Sequence, residues 1–168
     1  MVNLKIVELS KIQVIKEQIN EAIWMFFNRR SSVAIHAIVG GAHQALHDLT
    51  DREASMIKND SAALNSGKGS EWYTRLNKEY NFLKHAKSDK GETIKFDPLL
   101  HTFYLVDCLY MYRKLTGEKL HNQTVFDAWF ALSNPNTIGS ERIRELSKFI
   151  AAHDMNPENY EYFASILQ

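Results

Sequence analysis

The chain has 168 residues, enough for one domain, with 45% hydrophobic and 24% charged residues, the ordinary balance of a globular protein. Twenty basic side chains match twenty acidic ones, which removes the general electrostatic argument for a non-specific nucleic-acid binder. A single cysteine, Cys108, excludes an internal disulfide framework and a cysteine-rich zinc site and fits a reducing, cytoplasmic setting.

The N-terminus alternates Asn3, Lys5 and Glu8 with apolar residues and so lacks the apolar run of a signal peptide. Val2–Ile6 reads as a short extended piece. Ser10 is a plausible N-cap for a first helix, with Ile12, Ile15, Ile19, Ala22, Ile23 and Phe26 at helical spacing. That helix should end near Asn28-Arg29-Arg30, where cations complement the negative helix end. Ser31 or Ser32 then caps a second helix, and so short a link predicts antiparallel neighbours.

The second helix carries His36, His43 and His47, within roughly 40° of one another at about 100° per residue. They flank a stripe of Ile35, Ile38, Val39, Ala42, Leu46 and Leu49. Gly40-Gly41 interrupts this helix at a cost of about 1 kcal/mol each relative to Ala, so close approach of another helix is the simplest reason for the pair. Residues 51–70 lose periodicity and read as a flexible loop, with a short turn near Ala54–Ile57. A third helix is expected from Glu71 to Ala86, striped by Trp72, Tyr73, Leu76, Tyr80 and Leu83.

Thr93–Phe96 is a second candidate strand. Asp97-Pro98 is a strong helix start and Gly117 a strong stop. The 98–116 helix between them is apolar on nearly every side, as a buried central helix is. Its Leu99–Leu109 run includes His101 and Asp107, too short and too polar for a membrane span. Three shorter helices are expected near 122–133, 141–152 and 157–167, forming a cap on one side. The expected fold is a single all-α domain, a bundle of six or seven helices around the 98–116 helix. Trp24, Trp72 and Trp129 stand at core positions, while Arg142, Arg144 and Lys148 read as a solvated edge offset by Glu141 and Glu145.

Three groups of residues could carry chemistry. His43 and His47 are four apart, so one ion could reach both, at about 2.0–2.1 Å for zinc. His36 stands about 10.5 Å further along the axis and would not share that ion. Further ligands would have to come from His85, Asp89, His101 or Asp107. No cofactor is expected, with a divalent metal at His43 and His47 as the alternative. Secondly, Asn81, His85 and Asp89 recur at intervals of four, away from the stripe of the third helix, with Lys84 beside them. Thirdly, Asp107 lies mid-helix between Val106 and Cys108, where a carboxylate must find a donor. A His or Arg from another helix is expected to pair with it. No nucleophile signature, phosphate loop, dinucleotide fingerprint or calcium loop is present.

The blocks Ser32-Val33-Ala34-Ile35-His36-Ala37-Ile38-Val39-Gly40-Gly41-Ala42 and Asn81-Phe82-Leu83-Lys84-His85-Ala86 resemble those of an uncharacterised family of small helical bacterial proteins. More loosely, the Asn-x-x-x-His at a helix end resembles the HEPN helical domains. Active members of that group cut RNA without metal, using an Arg followed four to six residues later by His. Others only bind nucleotides or partners. Here Asn81 stands where the cation would be, and Arg75 lies ten residues before His85. The resemblance therefore implies a binding relative rather than a nuclease, with a nucleotide, RNA, a protein partner or a second copy of the chain as its partner. The other readings are a metal- or small-ligand-binding protein using the His36, His43 and His47 face, and a purely structural protein. The candidate polar pocket comprises His36, His43, His47, Asn81, Lys84, His85 and Asp107, and the balance of signals favours binding over catalysis.

Overall fold

The computed structural model describes residues 6–50, 54–56, 69–85, 91–134 and 140–167, without the side chains of 69–73, 75, 76 and 140–145. Among the described residues it is all-helical, with seven helices and no strand. They are α1 (Lys11–Phe27), α2 (Ser32–Leu49), α3 (Gly69–Lys84), α4 (Leu100–Thr116), α5 (Gln123–Ser133), α6 (Ser140–Ala152) and α7 (Tyr160–Ser165). No helix among these residues is long and apolar enough to cross a membrane.

α1 opens with a capping box: Gln13 N–H donates to Ser10 Oγ at 3.2 Å, and Ser10 N–H to Gln13 Oε1 at 2.7 Å. Its buried stripe is Ile15, Ile19, Ala22, Ile23, Phe26 and Phe27. The chain then reverses through Arg29, at φ 49°. Arg29 N–H reaches Phe26 O and Arg30 N–H reaches Met25 O, the paired bonds of a Schellman stop. Both arginines therefore lie beyond the helix rather than in its last turn. Arg30 sits over the Trp24 ring at 5.4 Å, and Trp24 is 40% exposed, correcting its expected core position. Leu49 is exposed as well.

Ser31 caps α2, accepting from Ala34 N–H at 3.4 Å. α2 returns antiparallel along α1, and a β-carbon at Gly41 would lie 3.7 Å from Gln18 Nε2. Against α4 the pairs advance together, His36 with Tyr104, His43 with Asp107 and Thr50 with Met111, so α2 and α4 run in the same sense. α3 packs across α2. A β-carbon built on Gly40 would fall inside the Tyr80 ring, 2.6 Å from Cε2, so Gly40 is the point of close approach. Gly41 meets only ordinary contacts.

α4 is the buried centre on the sides that meet α1, α2 and α5. It starts two residues later than Asp97-Pro98 suggests: Asp97 Oδ1 accepts from Leu99 N–H at 3.0 Å, and the helix proper opens at Leu100. Leu99 and Tyr110 are exposed, and Gly117 closes the helix at φ 73°. Thr93–Phe96 is not a strand; it is irregular chain with no ladder partner among the described residues. α7 is shorter than expected, since Pro157 and Glu158 form a turn.

The aromatic end of the core joins α1, α5 and α7. Phe27 stacks on Phe163 at 5.0 Å, and Phe26 meets Trp129 edge-on at 4.5 Å. Trp129 Nε1–H donates to Pro157 O at 3.0 Å, which satisfies the one polar atom of that ring. Val2–Lys5, Ile57, Ala86, Asp89 and the rest of the expected 51–70 loop lie outside the described residues, apart from 54–56 and the first turn of α3. The same holds for the side chains of Trp72, Arg142 and Arg144.

Candidate functional site

The core along the α2–α4 seam is polar. His36, His43 and His47 are all buried on the side of α2 that faces α4, where Asp107 is fully buried. Three donors converge on its carboxylate. His43 Nε2–H donates to Oδ2 at 2.8 Å, Ser55 Oγ–H to Oδ2 at 2.6 Å and Met56 N–H to Oδ1 at 2.6 Å. Asp107 thus has the partner from another helix that a buried carboxylate needs. It also ties residues 55 and 56 to the middle of α4, in a stretch the sequence marks only as loop.

This geometry is not that of a nucleophilic relay. In such a relay the hydroxyl donates to the imidazole and the imidazole to the carboxylate. Here the Ser55 hydroxyl donates to the carboxylate itself. Cys108, one residue on, points its Sγ at Val39 O (3.9 Å), and burial, then the Asp107 charge, pushes its thiol pKa well up. It is a protonated core residue, not a thiolate.

His47 stacks beside His43 with ring centroids 6.2 Å apart. His43 Nε2 is already committed to Asp107. Among the described residues no group of three or more His, Cys, Asp or Glu side chains is placed to hold a metal ion. Glu79 on α3 is also buried, an inward carboxylate that the α3 pattern does not single out.

His36 and His101 differ from His43. Both rings are buried, at 0% and 2% exposure, and among the described residues none of their four nitrogens meets a hydrogen-bonding partner. Phe96 and Tyr104 approach His36 edge-on at 5.4 and 5.3 Å, and Phe26 approaches His101 at 5.6 Å. Burial lowers both pKa values to about 4; for His101 the neighbouring His36 lowers it further and Asp97 opposes. The two rings therefore lie within electrostatic reach of each other and are neutral at physiological pH. Each presents one donor and one acceptor nitrogen to an apolar surround.

No family model, curated protein or solved structure matches the chain. The site must be read from its own geometry.

Of the candidate pocket residues, His36, His43, His47 and Asp107 come together at the α2–α4 seam. Asn81, Lys84 and His85 do not join them. All three are exposed at the C-terminal end of α3, and no hydrogen bond or ion pair links them to the seam among the described residues. Lys84 Nζ instead covers the Tyr80 ring at 5.4 Å. His101, which the sequence suggests only as a distant ligand for a metal on α2, is the residue that completes the seam. Its spacing from Asp97-Pro98 puts it in the first turn of α4, but nothing local marks it as the neighbour of His36. Phe96 was equally hidden, because its role depends on an irregular segment crossing α2.

Proposed function

We propose that this chain is a helical small-ligand-binding module whose ligand is held at the α2–α4 seam by His36 and His101. The observation that carries the reading is the pair of buried imidazoles with no partner among the described residues on any ring nitrogen. A buried polar group left unpaired costs about 1–3 kcal/mol, and two adjacent residues with that penalty have the character of a binding site rather than of a core. His43, fixed by Asp107, holds the neighbouring wall in place. The lone, buried Cys108 supports a reducing, cytoplasmic setting.

The test is native mass spectrometry of the full chain after incubation with a pool of small polar metabolites, beside a His36→Phe/His101→Phe variant. A small-molecule adduct on the wild type that the variant lacks is expected. An adduct carried equally by both, or by neither, would refute the reading.

A second reading draws on the exposed Asn81, Lys84 and His85 at the end of α3, a polar and cationic edge that suits a nucleotide or RNA in the manner of binding-only HEPN-like domains. Titration with a fluorescent oligoribonucleotide should then show affinity lost in Lys84→Ala and His85→Ala. Equal affinity in all three proteins would end that reading.

A further inference from the structure

The chemistry of the seam also selects among ligands, an argument that rests on the ligand-binding reading above. Charge comes first. Burial keeps both imidazoles neutral, and the carboxylate acting on His101 is Asp97. Asp97 Oδ1 already accepts from Leu99 N–H, and Asp107, further along α4, already accepts from three donors. Among the described residues no lysine or arginine acts on either ring. An anion would exchange water for neutral rings and nearby negative charge, a costly transfer. A cation would lose its hydration for carboxylates whose lone pairs are largely engaged.

Hydrogen-bond valence comes next. Two neutral imidazoles offer two N–H donors and two lone-pair acceptors. A hydrocarbon would leave all four unpaired, and an ether could answer only the donors. A group with donor and acceptor side by side can answer both kinds. Shape comes last. Phe26, Phe96 and Tyr104 stand at 71–80° to the imidazoles, and such aromatic surface packs well on a flat, apolar-faced body.

We infer that the seam takes an uncharged planar group of the amide, urea or azole class, bound through His36 and His101. Phosphate-bearing ligands are thereby directed elsewhere on the molecule.

The experiment is a titration of the full-length protein, labelled with ¹⁵N at histidine, read from long-range ¹H–¹⁵N correlations of the side chains. The probes are acetamide and 1,2,4-triazole as neutral groups, inorganic phosphate as the anion and Zn²⁺ as the cation. Saturable shifts of His36 and His101 with a neutral probe are expected, and none with phosphate. His43, pinned to Asp107, serves as internal reference and keeps its tautomer. His36→Phe or His101→Phe should weaken the neutral probe about tenfold or more, the loss of one or two hydrogen bonds. Should a variant fail to fold, the wild-type titration decides alone. Saturable shifts with phosphate or Zn²⁺ but with neither neutral probe would overturn the ligand class and leave the site standing. Rings that no probe moves would overturn both.

Discussion

Two regions of the core, which meet where Phe26 touches the His101 ring at 5.6 Å, solve the same packing problem with opposite chemistry. Around Phe26, Phe27, Trp129 and Phe163 the rings fill space against one another, and the single indole N–H has its carbonyl. At the α2–α4 seam the same bundle buries three histidines of α2, His101 and Asp107. One half of that polar group is fully answered, at Asp107. The other half, His36 and His101, is not. Polar side chains are buried elsewhere too, Glu79 on α3 and Gln123 and Asp127 on α5. The lesson of the α2–α4 seam is that one stretch of core holds both an answered carboxylate, which serves the architecture, and unpaired rings, on which the proposed binding site rests.

The largest effect should come from breaking the answered half. Asp107→Ala strands His43, the Ser55 hydroxyl and the Met56 amide together, at about 3–5 kcal/mol, measured by urea unfolding. Phe27→Ala at the aromatic end should cost a similar ~3–5 kcal/mol by the same assay. The two should differ in character: Asp107→Ala releases residues 55 and 56, whereas Phe27→Ala leaves their amide signals in place.

Acid should separate the two regions next. His36 and His101 titrate near 4 when folded and near 6.5 when unfolded. The unfolded chain therefore binds more protons between those values, and stability falls as pH drops from about 6.5 to 4. The loss is on the order of 2–3 kcal/mol per histidine. Urea midpoints of the wild type should decline over that window, and those of His36→Phe/His101→Phe should decline much less. A midpoint that declines equally in both proteins would assign the acid sensitivity elsewhere.

Gly40→Ala should cost about 1–3 kcal/mol by driving a methyl into the Tyr80 ring, and Tyr80→Ala should remove most of that penalty in the double variant. Gly41→Ala, one residue away with only ordinary contacts, should be neutral or stabilising by up to about 1 kcal/mol. The smallest effect is expected at neutral pH from His36→Phe itself, close to zero or slightly stabilising, because it exchanges an unpaired polar ring for an apolar one.

Much of the architecture was legible in the sequence because it rests on local signals. All-round apolarity marked α4 as central, a mid-helix carboxylate announced its need for a donor, and Gly40 announced a close neighbour. The capping residues Ser10, Ser31 and Gly117 fixed helix ends to within a residue. What stayed hidden depends on contacts between distant segments. Ser55 lies in an aperiodic stretch, and its acceptor is 52 residues downstream. Whether a histidine on α2 is paired or not turns on which α4 side chain passes it, so His43 and His36 look alike in sequence and differ in the fold. Trp24 stands at an apolar position on the helical wheel, but its exposure is set by whether another element covers that face of α1, and among the described residues none covers it fully.

The bond from Met56 N–H to Asp107 ties the chain beyond α2 to the innermost helix. That amide should exchange its hydrogen for deuterium as slowly as those of α4, since only rupture of the interior frees it. A protease working on the surface would accordingly find residues 55 and 56 shielded, and the two helices would come apart as a single cooperative unit.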